Sequence, residues 1–238
     1  GRTLLGIIES ILDFSKIEAG RINIVSGALD IERLVMETVA MFGAEAKRKG
    51  ITLDTRLDPQ LPERLYGDAL HIRQVLINLL GNAVKFTETG GVTMRVLRGD
   101  DDASSPDRVA VRFEVEDTGI GIAVADQPHI FESFRQANAD TSRFYGGTGL
   151  GTAIARELVQ LMGGRIEFRS SLGQGSLFWF ELALEHSQEM LAAAQEEHVE
   201  ASTTLCVPRS PAEQENIIPF AEHYRRQLPA GGLRLLVA

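Results

Sequence analysis

The sequence predicts an α+β domain, on three observations. Stretches with apolar residues at three- and four-residue spacing, which form helices, are interleaved with stretches that alternate apolar and polar, which form strands. The last two strand stretches, Arg165 to Ser170 and Ser176 to Leu184, form a hairpin turning at Gly173-Gln174-Gly175. The apolar fraction, 44% of 238 residues, is ample for a core.

In chain order, residues 2–19 read as a helix with Leu4, Ile8 and Ile11 on one stripe, joined by Leu5, Leu12 and Phe14. That stripe needs something to pack on: either a partner helix, as in a helical hairpin cut by the start of the sequence, or its own domain. Arg21 to Val25 alternates as a short strand. Asp30 is placed to cap a helix that runs to Lys49 and ends at Gly50, with Leu34, Val35, Thr38, Phe42 and Ala46 on its buried face. Ile51 to Leu57 is a strand and Pro59 to Pro62 a turn. Asp68 then caps a helix from Ala69 to Phe86.

On that helix Ile72, Val75, Leu76, Leu79, Leu80 and Ala83 make the apolar face, while His71, Gln74, Asn78, Asn82 and Lys85 line up on another. Val92 to Leu97 and Val109 to Glu116 are strands, joined by a solvated loop from Arg98 to Pro106. The second runs straight into Asp117-Thr118-Gly119-Ile120-Gly121. A carboxylate at a strand end followed by glycines belongs in a pocket. Later comes Gly146-Gly147-Thr148-Gly149-Leu150-Gly151, ahead of a helix from Thr152 to Met162. Such glycines let backbone N–H groups close on an anion at the positive end of a helix dipole. They also occur before helices for packing alone, so this run is informative only beside the other stretches.

Charge and cysteine content narrow the function. Lys plus Arg at 24 against Asp plus Glu at 33 gives −9, with no basic block interleaved with aromatics, which argues against a nucleic-acid partner. The lone cysteine, Cys206, permits no internal disulfide and no Cys-rich metal site, which fits a reducing compartment. No apolar run reaches the roughly 20 residues that span a bilayer.

Four stretches then match one pattern in order and spacing: NLLGNAVKFT (Asn78 to Thr87), DTGIGI (Asp117 to Ile122), IFESFRQ (Ile130 to Gln136) and GGTGLG (Gly146 to Gly151). They resemble the nucleotide-binding boxes of sensor histidine kinases, in the broad class that includes the ATPases of DNA gyrase and heat-shock chaperones. The resemblance covers nearly all of residues 21–184. It implies a two-layer α/β sandwich, a mixed sheet covered on one face by helices. LDFSKIEAGRI (Leu12 to Ile22) is similar to the end of the dimerisation hairpin that carries the phosphorylated histidine, and the terminal LRLLVA to the first strand of a receiver domain. The implied organisation is hairpin end over 1–20, catalytic ATP-binding domain over 21–184, linker over 185–232 and receiver start over 233–238. The parent would be a hybrid kinase, homodimeric through its hairpin, with a receiver domain or response regulator as partner. It would work in the cytoplasm, either free or as the cytoplasmic part of a membrane-bound sensor.

The same resemblance implies the roles. ATP and Mg²⁺ are the expected ligands. Asp117 accepts a hydrogen bond from the adenine amine, a choice chemistry supports because guanine offers a carbonyl there. Gly119, Gly121 and Ile122 bring backbone to the base. Asn82, with Asn78 one turn earlier, gives amide oxygen to Mg²⁺, a hard cation. Lys85 reaches phosphate as a point charge, and Gly147, Thr148, Gly149, Leu150 and Gly151 form the cradle. Phe131 and Phe134 serve both as core and as anchors of a lid from about Arg135 to Tyr145, mobile without nucleotide, with Arg135 and Arg143 as weaker nucleotide contacts.

Departures matter too. None of His71, His129, His186, His198 and His223 is followed by an acidic residue, so the phosphoacceptor motif is absent and the chain should bind ATP without phosphorylating itself. Gyrase-like relatives carry a water-activating glutamate where this chain has Asn78, an amide with no basic electron pair at neutral pH, which disfavours hydrolysis. His71 replaces a frequent arginine and Thr152 a usual leucine. The competing readings are an ATP-hydrolysing conformational clamp on the same fold and a non-catalytic interaction module.

Overall fold

The computed structural model describes residues 12, 14–17, 19–62, 64–99, 107–133 and 149–186. In chain order these form β1 (Gly27–Leu29), α1 (Ile31–Lys49), β2 (Thr52–Leu57), β3 (Leu65–Gly67), α2 (Ala69–Phe86), β4 (Gly91–Arg98) and β5 (Arg108–Asp117). A single 3₁₀ turn (Gln127–His129) follows, then α3 (Gly151–Leu161), β6 (Arg165–Ser171) and β7 (Gly175–Glu185).

The strands make one sheet in the order β1-β3-β7-β5-β4-β2, with β6 pairing on β7. β2 and β4 run parallel and the other pairs antiparallel, so the sheet is mixed. Alternation gives it two unlike faces. Val92, Met94 and Val96, Val111, Phe113 and Val115, and Phe180 and Leu182 are buried in one cluster with the apolar sides of all three helices. Phe113 and Phe180 sit opposite each other across β5 and β7 and stack at 4.7 Å. The other face carries charge: Arg112 pairs with Glu114 and Glu181 and lies over the Trp179 ring, and Arg95 pairs with Glu114 and Glu116. This is the expected two-layer sandwich with helices on one side.

The helix boundaries follow the caps read from the sequence. Asp30 accepts from the Arg33 N–H at 2.8 Å, and Gly50 closes α1 by donating to Ala46 and Lys47 carbonyls. Leu34, Val35, Thr38 and Ala46 are buried as expected, Phe42 partly. Two expectations need correction. Arg21 to Val25 is not a strand: Val25 is 69% exposed and finds no strand partner, its N–H going instead to the Asp68 carboxylate at 2.8 Å. Nor is Pro59 to Pro62 followed directly by the cap of α2. β3 intervenes, a three-residue strand too short to show a period, defined by pairing with β1 and by Tyr66 meeting Glu185. Near the start of the chain, Phe14 to Ile17 are helical and Phe14, Ile17 and Ile22 lean on the domain's own core, while Leu12 is 53% exposed. The linker beyond residue 186 and the receiver-like strand at 233–238 lie outside the described residues, as does most of the loop after Arg98.

Candidate functional site

α2 carries the first half of the site. Its start is fixed by Asp68, whose buried carboxylate accepts from the His71 N–H at 3.0 Å and the His71 ring at 2.7 Å as well as from Val25. Burial works to raise this carboxyl's pKa, but the His71 and Val25 N–H groups and the His71 ring outweigh it and hold the group below the usual range. Ile72, Val75, Leu76, Leu79, Leu80 and Ala83 are all buried, which turns His71, Gln74, Asn78, Asn82 and Lys85 to the partly exposed side. Asn78 lies against Gly151 at the start of α3, where an added Cβ would stand 3.7 Å from its Oδ1. Asn78 Nδ2 is buried without a hydrogen-bond partner among the described residues. A buried amide with nothing to bond is costly, and a ligand atom would relieve it. Lys85 Nζ lies 4.6 Å from the centre of the Phe86 ring, and burial pushes its pKa down.

Asp117 carries the second half. It closes β5 between Val92 of β4 and Ser176 of β7, and it is 7% exposed. Burial pushes its pKa up against the pull of the Gly119 and Ser176 N–H groups, and the neighbouring Glu116 charge adds to the rise. The Gly119 bond is 2.8 Å. Side chains are excluded from the loop beyond. A Cβ on Gly119 would stand 2.4 Å from the Phe86 carbonyl oxygen, and one on Gly121, at φ +65°, would stand 2.0 Å from the Ser171 carbonyl oxygen. What remains is a buried carboxylate, orientated by two backbone donors, whose ionised form would gain from one more donor.

The support for this loop was not visible in the sequence. Ser170 Oγ accepts from the Ile122 N–H at 2.8 Å and donates to the Gly175 carbonyl at 2.9 Å. Gln127 Nε2 donates to the carbonyls of Ile122 and Ser170, and the Gly173 N–H donates to Ile120 at 2.7 Å. The β6–β7 hairpin is thus the bracket that holds the loop after Asp117. A serine beside a glycine turn is too common a pattern to have signalled this.

At the start of α3, Leu150 is fully buried in the cap position and Gly149 takes φ +67°. Leucine has no acceptor to offer, so no side chain at that position caps the first-turn N–H groups, an arrangement open to an anion. Thr152 donates its hydroxyl to the Ile130 carbonyl. Phe131 meets Phe168 edge-on at 5.9 Å but is only half-buried and lies outside the core cluster, at the edge of the packing rather than within it. The described part of the site therefore brings Asn78 to Gly151 and the Asp117 loop to the end of α2. Phe134, Arg135, Arg143, Gly146, Gly147 and Thr148 lie outside the described residues. Among those described, no three His, Cys, Asp or Glu side chains cluster as a metal cage. The amide oxygens of Asn78 and Asn82 instead suit a hard cation that arrives with most of its ligands, as Mg²⁺ does with phosphate.

Residues 67–186 match the family described as histidine kinase-, DNA gyrase B- and HSP90-like ATPase. The sensory/regulatory protein RpfC of Xanthomonas campestris pv. campestris is 40% identical over all of this chain, which spans 32% of RpfC. The signal transduction histidine-protein kinase BarA of Escherichia coli is 38% identical over 86% of this chain, which spans 21% of BarA. Among solved structures, full-length ShkA in complex with AMPPNP aligns with a TM-score of 0.67 at 36% identity, covering 78% of this chain and 36% of that one. The Acinetobacter baumannii histidine kinase AdeS shares the fold with a TM-score of 0.59 at 20% identity, covering 76% and 79%. With the matched segment enclosing both Asp117 and the α2 asparagines, this chain belongs to the histidine kinase-, DNA gyrase B- and HSP90-like ATPase family.

Proposed function

We propose that residues 21–184 are the ATP-binding catalytic domain of a hybrid sensor histidine kinase, which transfers the γ-phosphoryl group of ATP to a histidine on a dimerisation hairpin. The observation that carries this reading is Asp117: a buried carboxylate with a raised pKa, orientated by two backbone donors beside two positions that admit only glycine. Such a group selects a ligand with an amine donor, as adenine has and guanine lacks at the matching position.

In this reading each residue has one task. Asp117 accepts from the adenine amine, and the backbone of Gly119, Gly121 and Ile122 faces the base. Asn82 and Asn78 turn amide oxygen toward Mg²⁺, which when bound neutralises phosphate charge. Lys85 and the N–H groups from Gly147 to Gly151 would meet the phosphates, with Phe134 and Arg143 as further nucleotide contacts. The incoming imidazole nitrogen forms a bond to the γ-phosphorus as the bond to the bridging oxygen breaks, and ADP leaves with that oxygen's electron pair. The chain contributes positioning and charge neutralisation. Asn78 supplies no general base for water, which favours transfer over hydrolysis.

The partners follow: the protein's own hairpin, a receiver domain or response regulator, and a second copy in the full-length homodimer. Residues 1–20 would end the hairpin, 185–232 would be linker and 233–238 would open a receiver domain. The site of action would be the cytoplasm, free or on a membrane-bound sensor; among the described residues no helix is long and apolar enough to cross a membrane.

The test supplies a separate hairpin bearing a histidine followed by an acidic residue, with radiolabelled ATP and Mg²⁺. The expected result is acid-labile, base-stable phosphate on the hairpin and none on this chain. Steady phosphate release by the chain alone, with no label on the hairpin, would instead establish the clamp.

A further inference from the structure

The C-terminus of α2 has an owner outside the site. A helix leaves its last four carbonyls without intrahelical partners. In α2 these belong to Ala83, Val84, Lys85 and Phe86. Ala83 accepts from the N–H and hydroxyl of Thr87, at 3.1 and 2.7 Å. Val84 and Lys85 accept from Lys49 Nζ at 2.8 and 2.7 Å, and the same ammonium reaches the Thr87 carbonyl at 3.1 Å. Phe86 accepts from the Ile120 N–H at 3.3 Å.

All three ammonium protons are therefore matched to one helix end, from a lysine in the last turn of a different helix. The carbonyl left over, Phe86, is the one the Asp117 loop docks on, and it is also the atom that forbids a side chain at Gly119. Thr118 continues the seam: its N–H donates to Gly91 at 3.1 Å and its hydroxyl to Thr89 at 3.1 Å. Without Lys49, two helix-terminal carbonyls and the turn after them lose their donor. The last turn of α2 is then free to fray, and the Phe86 carbonyl frays with it.

We infer that Lys49 is a positioning residue for nucleotide recognition: by clamping the end of α2 it fixes the Phe86 carbonyl, and through it the loop that sets Asp117 and Gly119 against the base. Its ammonium is committed to the Val84, Lys85 and Thr87 carbonyls, so its role would be indirect. The inference rests on the adenine-pocket reading above for its ligand, and on geometry alone for its clamp.

The experiment uses the whole chain, wild type beside Lys49→Met, which keeps the aliphatic stem and removes the donors, and Lys49→Arg, which keeps a cation and N–H donors. Amide exchange is followed by NMR at Ile120 and at core positions of β5 such as Val111 and Val115. AMPPNP, ADP and GMPPNP are titrated with Mg²⁺. In Lys49→Met, Ile120 exchange should rise about tenfold with β5 unchanged, a local opening. AMPPNP and ADP should weaken together by about tenfold, because the loss is at the base they share, and the preference for AMPPNP over GMPPNP should narrow. Lys49→Arg should restore most of both. Unchanged Ile120 exchange, or an equal rise at Ile120 and across β5, would overturn the clamp. A loss confined to AMPPNP would overturn it too, since it would place Lys49 on the phosphate side. If wild type binds no nucleotide, the adenine reading falls while Ile120 exchange still judges the clamp. Should Lys49→Met not fold, Lys49→Gln carries the same measurements.

Discussion

Two buried aspartates, Asp68 and Asp117, stand at the ends of elements and differ in what surrounds them. Asp68 is 5% exposed and collects two N–H groups and an imidazole; Asp117 is 7% exposed and collects two N–H groups and a neighbouring glutamate. The outcome has opposite sign. Asp68 is held below the ordinary carboxylate pKa and Asp117 is pushed above it. One carboxylate is satisfied by the fold, and it caps a helix and ties the incoming chain at Val25. The other has two N–H groups set against burial and a like charge, so a further donor from a ligand would favour its ionised form. Burial alone does not tell a structural acid from a functional one; the completeness of its partners does.

The largest effect should come from Gly121→Ala. A Cβ at φ +65°, 2.0 Å from the Ser171 carbonyl oxygen, forces the loop after Asp117 off the hairpin. The expected loss is about 3 kcal/mol by denaturant unfolding, with binding lost alongside. Asp68→Ala comes next, at about 2–3 kcal/mol, because it removes a cap and leaves further donors unpaired. Nucleotide affinity of the folded fraction should stay within about threefold, since the cap lies at the far end of α2. An affinity loss there as large as that of an Asp117 variant would erase the distinction between the two acids.

Acid should separate them as well. The folded pKa of Asp68 is depressed, so its contribution is whole above the ordinary value of about 3.9 and lost as pH falls through the lower folded value. That of Asp117 is raised, so its stability term is whole below about 3.9 and lost as pH rises through the folded value. On the adenine reading, nucleotide binding should run the other way at Asp117, because the ionised carboxylate is the stronger acceptor for the amine. Affinity should fall by about tenfold per pH unit below its raised pKa. A titration of AMPPNP across the acid range checks this slope. The smallest effect is on stability: Asp117→Asn removes a buried charge while keeping an acceptor for Gly119. It should leave the ligand-free midpoint at pH 7 unchanged or raise stability by about 1 kcal/mol.

Much of this was legible in the residues. Asp30, Gly50 and Asp68 announced the helix limits, and the α2 stripe announced which asparagines would share a face. Asp117 stood out because a strand ending in a carboxylate and two glycines has few structural uses, and the structure does bury it at the end of β5. What escaped has a common cause. β3, Ser170, Gln127 and Lys49 act through partners far away in sequence, and a single sequence carries no trace of who pairs with whom. The false strand at Arg21 to Val25 failed for the same reason, since alternation makes a strand only where an edge is waiting.

The most direct test of the central claim is calorimetric titration of AMPPNP with Mg²⁺ into the whole chain and into Asp117→Asn, with GMPPNP as control. The account predicts that the parent binds AMPPNP at least about tenfold more tightly than GMPPNP. In Asp117→Asn, which remains folded, AMPPNP should bind about a hundredfold more weakly. Equal AMPPNP affinity in the two proteins would contradict it, because Asp117 would then be one more structural acid, like Asp68.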